Sequence, residues 1–240
     1  MHDQAFVQAI IANSDEDAYR LVYADWLEEN GDIDRATFIR LQCELARLSP
    51  ADGRYSALSE QERAMRKAHF GAWIAPLRAA TPFYTTQTEF RRGFVEYVSI
   101  TSAALCDGGA RLFALAPITR ITLSVGAEHW PLLPGLGCLQ QLREVSIQGS
   151  LNETDLSIGT DGSIAALLES SNLPSLKRLS LTMYIGPLTT QQLLRPLWRD
   201  RLTGIEIMGV RASPALQEEL YLAYSGRIVA HEAANVGKIL

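Results

Sequence analysis

The sequence predicts an α/β protein, with an N-terminal helical module followed by a solenoid of strand–helix repeats around a parallel sheet. Three observations predict it. Apolar residues recur at helical spacing up to about residue 80, and from about residue 90 the spacing changes to alternation. One pattern, apolar-x-x-apolar-x-apolar, then recurs five times. The bulk properties fit: 240 residues, 47% hydrophobic and 20% charged, describe an ordinary globular chain and exclude a disordered or fibrous one. Lys plus Arg is 22 against 27 for Asp plus Glu, a net charge of −5. That balance argues against nucleic acid, whose binders carry a basic surplus to displace counterions. The three cysteines (Cys43, Cys106, Cys138) are odd in number and widely spaced, so reduced and mostly buried thiols are expected rather than a disulfide framework. No apolar run reaches the ~18 residues of a membrane span, and Met1-His2-Asp3-Gln4 opens no signal peptide. The expected location is cytoplasmic.

Residues 1–85 read as the helical module. Asp3 is placed to cap a first helix through about Asn13, with Phe6, Ile10 and Ile11 on one side. Asn13 to Asp17 supplies cap candidates for a second helix and puts carboxylates at the positive end of its dipole. Tyr19, Val22, Tyr23, Trp26 and Leu27 follow as an aromatic-rich stripe, and Asn30-Gly31 supplies the stop. A third helix is expected from Asp32 or Asp34, with Phe38, Leu41, Leu45 and Leu48 on one face and Pro50 past its end. Ser59 with Glu62 reads as the capping box of a fourth helix carrying Met65, Phe70 and Trp73. Charge is uneven: residues 1–34 hold nine acids and one base, residues 35–80 four acids and eight bases. Pairing between the two stretches is the expectation.

Residues 90–240 carry the repeats: Val95-Val98-Ile100, Ile118-Ile121-Leu123, Leu142-Val145-Ile147, Leu176-Leu179-Leu181 and Leu202-Ile205-Ile207. Their starts lie 23, 24, 34 and 26 residues apart, the period of leucine-rich repeats, in which a short strand alternates with a helical return. Ala110–Leu115, Ser163–Leu168 and Gln191–Leu194 are the expected returns. The 34-residue step, with Asn152–Asp155 and Gly159–Gly162, is expected to hold a surface insertion. Leu216–Ala223 reads as a last helix and Arg227–His231 as a capping strand.

One stretch carries a resemblance. Arg20-Leu21-Val22-Tyr23-Ala24-Asp25-Trp26-Leu27-Glu28-Glu29-Asn30-Gly31-Asp32, continuing through Arg35-Ala36-Thr37-Phe38-Ile39-Arg40-Leu41-Gln42, resembles the repeat-companion domain of planctomycete-type and myxobacterial proteins. The match runs from about residue 3 to 48, and Phe90-Arg91-Arg92-Gly93-Phe94 resembles the segment that leads from that domain into leucine-rich repeats. The resemblance implies an all-helical module before a short repeat array, and it implies no activity. The repeats themselves depart from the usual pattern. Gly126, Ser150, Tyr184 and Val210 stand where an Asn would hold the turn, which leaves the curvature open.

No catalytic constellation is legible. His2, His69, His129 and His231 are isolated, no cysteine pair has zinc-finger spacing, and Gly108-Gly109 and Gly135-Leu136-Gly137 fit turns between repeats better than a phosphate loop. Neither enzyme activity, cofactor nor metal is expected. Cys43, beside an apolar face, reads as a buried thiol. Arg20, Asp25 and Arg40 lie among Tyr19, Tyr23, Trp26 and Phe38, which reads as a partly buried ion pair fixing helices two and three. The alternative is a recognition surface anchored by Tyr23 and Trp26. Strand alternation puts the fourth and sixth positions of each repeat inward. The third and fifth then line the concave face: Tyr97, Arg120, Glu144, Arg178 and Gly204 beside Ser99, Thr122, Ser146, Ser180 and Glu206. Arg120, Glu144 and Arg178 form an alternating charge ladder there. The expected function is a non-enzymatic scaffold that holds a protein partner on this face, with no nucleic acid, membrane or metal. The alternative is a recognition or regulatory subunit of a separate enzyme, docked through the helical module. Arg91-Arg92 and Arg63-Arg66-Lys67 are small basic clusters that neither reading uses.

Overall fold

The computed structural model describes residues 2–81, 85–148 and 158–230. Four helices come first: α1 (His2–Ala12), α2 (Asp17–Glu29), α3 (Ile33–Arg47) and α4 (Tyr55–Ala80). Strands β1 (Thr85–Arg91) and β2 (Phe94–Thr101) follow, then α5 (Ser102–Phe113) and β3 (Arg120–Ser124). Two 3-10 stretches, Ala127–Gly135 and Gly137–Gln141, lead to β4 (Glu144–Gln148) and α6 (Ile158–Glu169). Then come β5 (Arg178–Ile185), α7 (Pro187–Leu193), α8 (Pro196–Arg201), β6 (Gly204–Val210), α9 (Pro214–Ala223) and β7 (Ile228–Ala230). The seven strands make one sheet in chain order, parallel from β3 to β7. By Cα proximity the chain divides into two compact units, residues 1–98 with 108–119, and residues 99–107 with 120–240.

In the first unit, α1–α3 close on Ile10, Tyr23, Ala24, Leu27, Ala36, Ile39, Cys43 and Phe94. Asp32 caps α3 by accepting from the Arg35 amide at 3.1 Å, and Gly31, at φ 91°, makes the turn before it. Two expected caps are corrected. Asp3 lies inside the first turn of α1 and accepts from the Tyr23 hydroxyl instead, tying α1 to α2. Ser59 is no cap either: α4 begins at Tyr55, and Glu62 accepts from Gln42 of α3 at 2.8 Å. A second aromatic layer packs Phe38 on Trp73, at 4.5 Å between ring centroids, with Phe90 edge-on at 5.5 Å.

The turn from β1 to β2 is two residues long. Arg92 (φ 49°) and Gly93 (φ 87°) both have positive φ, as a type I′ hairpin needs. A Cβ on Gly93 would lie 2.8 Å from the Cα of Ile39, so only glycine lets this turn lie against α3. Its amide donates to Gln42 Oε1 at 2.7 Å.

In the second unit the repeat pattern is the core: all fifteen of its apolar positions are buried, counting Val95, Val98 and Ile118 of the first unit. The return between β3 and β4 is 3-10, because Pro131 and Pro134 interrupt a helix there. Gly108-Gly109 is no turn; both lie within α5. Of the step expected to hold an insertion, Gly159–Gly162 belong to α6, while Asn152–Asp155 falls outside the described residues. Asp161 of α6 is buried, and its carboxylate accepts from the amides of Gly186, Leu188 and Thr189 at 2.9–3.1 Å, capping α7 across the chain. Adjacent layers are pinned by side-chain donors: Trp198 Nε1 to the Leu168 carbonyl (3.1 Å) and the Tyr224 hydroxyl to the Leu193 carbonyl (2.7 Å). His231 of the expected capping strand lies outside the described residues; β7 covers Ile228–Ala230.

Candidate functional site

Strands β3 to β6 place the expected face residue by residue. Arg120 pairs with Glu144 and Glu144 with Arg178, while Thr122, Ser146, Ser180 and Glu206 form the adjacent row. Neighbouring strands are about 4.8 Å apart, so each row is a line of closely spaced side chains. Between them the buried Ile121, Val145, Leu179 and Ile205 point the other way. Arg178 and Glu144 approach to 4.0 Å with both side chains open to solvent, a weak pair that water screens. Ser180 donates to Glu206 at 3.0 Å. A third row, Ser124, Gln148 and Thr182, continues the polar surface. Beyond it a bulge between Leu181 and Tyr184 sets Tyr184 opposite Gly209, and Arg211 stacks on the tyrosine ring at 4.2 Å. Gly204 opposes Arg178 and leaves its side chain uncovered. Tyr97 and Ser99 sit on β2, on the side opposite Val98 and Ile100, and both are half-buried.

The helical motif is arranged differently from the expectation. Arg40 bridges Asp25 (2.6 Å) and Glu28 (2.7 Å), linking α3 to α2, but on the surface. Those bonds raise the Arg40 pKa. The buried pair is Arg20 with Glu96 of β2, at 2.6 Å with both side chains sealed from solvent. Burial lowers the Arg20 pKa, and Glu96 opposes that shift. Arg92 donates to the same Glu96 oxygen (3.0 Å) and to the carbonyls of Ser14 (2.8 Å) and Asp15 (3.0 Å). Sequence spacing within the motif had no means of showing a partner 76 residues away. Tyr23 is core and unavailable as an anchor; Trp26 is half-buried, stacked on Tyr23 at 6.0 Å. Charge pairing between the two stretches does occur, through Arg40 and through Arg47 on Asp17 at 2.8 Å.

Arg35, in the sequence only one residue of the resembling stretch, has its guanidinium among the rings of Phe38, Trp73, Phe90 and Phe94 at 4.8–5.8 Å. Desolvation pushes its pKa down to about 10. Its place in Arg35-Ala36-Thr37-Phe38 was the only signal available. Cys43 is buried and its thiol is pushed up to about 11, so it stays protonated at neutral pH. Cys106 and Cys138 are half-buried rather than fully enclosed, and all three thiols are free.

Among the described residues no group of three or more His, Cys, Asp or Glu is placed to hold a metal ion, and no helix is long and apolar enough to cross a membrane. Compared with known proteins, the chain matches no family model, no curated protein and no solved structure.

Proposed function

We propose that this protein is a non-enzymatic interaction scaffold: a repeat-companion-type helical module followed by a short leucine-rich-repeat solenoid whose concave sheet face holds a protein partner. The observation that carries this reading is the register of β3–β5. It sets the alternating Arg120, Glu144 and Arg178 row beside the small hydroxyls of Thr122, Ser146 and Ser180. The hydroxyl row leaves room for a partner's side chains, and the charges give orientation, Arg178 and Glu144 being only loosely paired at 4.0 Å. Repeat proteins commonly use such a face for recognition. The burial of Arg20 and Tyr23 favours the sheet over the helical motif as the recognition element.

The test is affinity capture with the full chain, comparing Arg120→Glu/Arg178→Glu with an α2 surface variant, Asp25→Lys/Glu29→Lys. A partner lost roughly tenfold or more with the first variant, and kept with the second, supports the sheet face, provided circular dichroism shows both folded. The reverse pattern makes the helical module the docking element of a subunit that serves a separate enzyme.

A further inference from the structure

The two basic clusters that the interaction reading leaves unused meet in the first unit. Arg66 of α4 and Arg91 of β1 line one open cleft of about 400 Å3 between α3, α4 and the end of β1. That volume is within the range of small-molecule sites, ~300–1,000 Å3. Leu45 and Ala46 of α3 give it an apolar wall.

Its polar groups are unevenly committed. Glu62, one of two acids in its lining, is already held by Gln42 at 2.8 Å and faces Arg66 Nε at 3.1 Å. Gln42 is held in turn by Gly93, whose amide it accepts. Arg92 also borders the cleft, but its guanidinium is spent on Ser14, Asp15 and Glu96. Glu89 takes part in interactions of its own. What stays uncommitted is a set of donors. Arg91 is exposed and has no ion pair or hydrogen bond among the described residues, and the hydroxyls of Tyr55 and Ser59 have none either. Arg66 keeps two further nitrogens beyond the Nε that faces Glu62. A pocket whose two acids are both already engaged and whose spare groups donate is matched to an acceptor that carries negative charge.

We propose that this cleft binds a small organic anion, a molecule with one carboxylate or phosphate end and an apolar body. The anion lies between Arg91 and Arg66 and the body against Leu45 and Ala46. The shared chemistry is a planar or tetrahedral oxyanion met by a guanidinium fork.

The experiment is calorimetric titration of the full chain with phenylacetate, phenyl phosphate, inorganic phosphate and the neutral benzyl alcohol. Saturable binding of phenylacetate or phenyl phosphate, with benzyl alcohol much weaker, supports the proposal, and the tighter of the two identifies the anion. Arg91→Gln, on an exposed residue, should weaken that binding roughly tenfold or more. Ala46→Trp, also exposed, should abolish it by filling the cleft. Binding that both variants leave unchanged overturns the proposal. So does equal binding of the alcohol, tighter binding of inorganic phosphate than of phenyl phosphate, or no binding of either organic anion at millimolar concentration.

Discussion

At the scale of single residues, the hairpin turn binds the helical module together. Arg92 holds the turn between α1 and α2 through two carbonyls and shares Glu96 with Arg20, while Gly93 lies on the backbone of α3. A methyl group on residue 93 has nowhere to go, because its nearest neighbour includes main chain that no rotamer change can move. Gly93→Ala therefore combines positive-φ strain with overpacking and should lower stability by about 2–5 kcal/mol, read as a shift of the urea midpoint. Gly93→Asn tolerates the same φ better but meets the same obstacle, so it should not rescue. The sequence displayed Phe90-Arg91-Arg92-Gly93-Phe94 as a motif without displaying its reason. The reason is tertiary: a contact with Ile39, 54 positions earlier in the chain, leaves no trace in local periodicity. The buried pair was illegible in the same way. Arg20 and Arg40 look alike in the string, and only the fold decides that one is sealed with Glu96 while the other is wet.

At the scale of elements, hydrophobic period was a dependable guide and capping chemistry an uneven one: Asp32 caps α3, whereas Asp3 and Ser59 cap nothing. Helices α2 and α3 and strands β3–β6 lie where apolar spacing puts them, since each must bury one face. A cap can also come from elsewhere in the chain. Asp161 is the clearest case. Read locally, Gly159-Thr160-Asp161-Gly162 has turn composition; in the fold its carboxylate takes three amides at the start of α7. Asp161→Ala should leave those donors buried without an acceptor and lower stability by about 2–4 kcal/mol, with faster hydrogen exchange at Gly186, Leu188 and Thr189. Asp161→Asn, which keeps one acceptor oxygen, should recover part of the loss. Equal exchange rates in Asp161→Ala and the parent would deny the cap its role. The sheet face was the most legible part of the candidate site, because strand alternation and the recurring apolar pattern are enough to place Arg120, Glu144 and Arg178 in one row. The cleft was the least legible, because it is assembled from three elements whose packing no repeat announces.

At the scale of the whole molecule, burial sets a limit on alkaline stability. Desolvation pushes Cys43 and Cys138 up to about 11 and Tyr224 up to about 12. Each folded-state value lies above that of the unfolded chain, so the folded protein keeps protons that the unfolded chain releases. The stabilisation from this source is complete below the ordinary thiol value of 9.0 and is lost as pH rises through about 11. The thermal midpoint should fall over that interval, and Cys43→Ala/Cys138→Ala should flatten the decline. A decline of unchanged slope in the double variant would assign the effect to other groups.

The four tryptophans divide two and two between the units. Trp26 and Trp73 of the first are half in water, whereas Trp130 and Trp198 of the second are enclosed, Trp198 with its indole N–H on a carbonyl. Indole fluorescence shifts to longer wavelength as the ring meets water, so native emission is the sum of a bluer and a redder pair. The protein thus carries one optical channel for each unit. When it is heated, the order in which the two bands change reports whether helices or repeats come apart first, with no label attached.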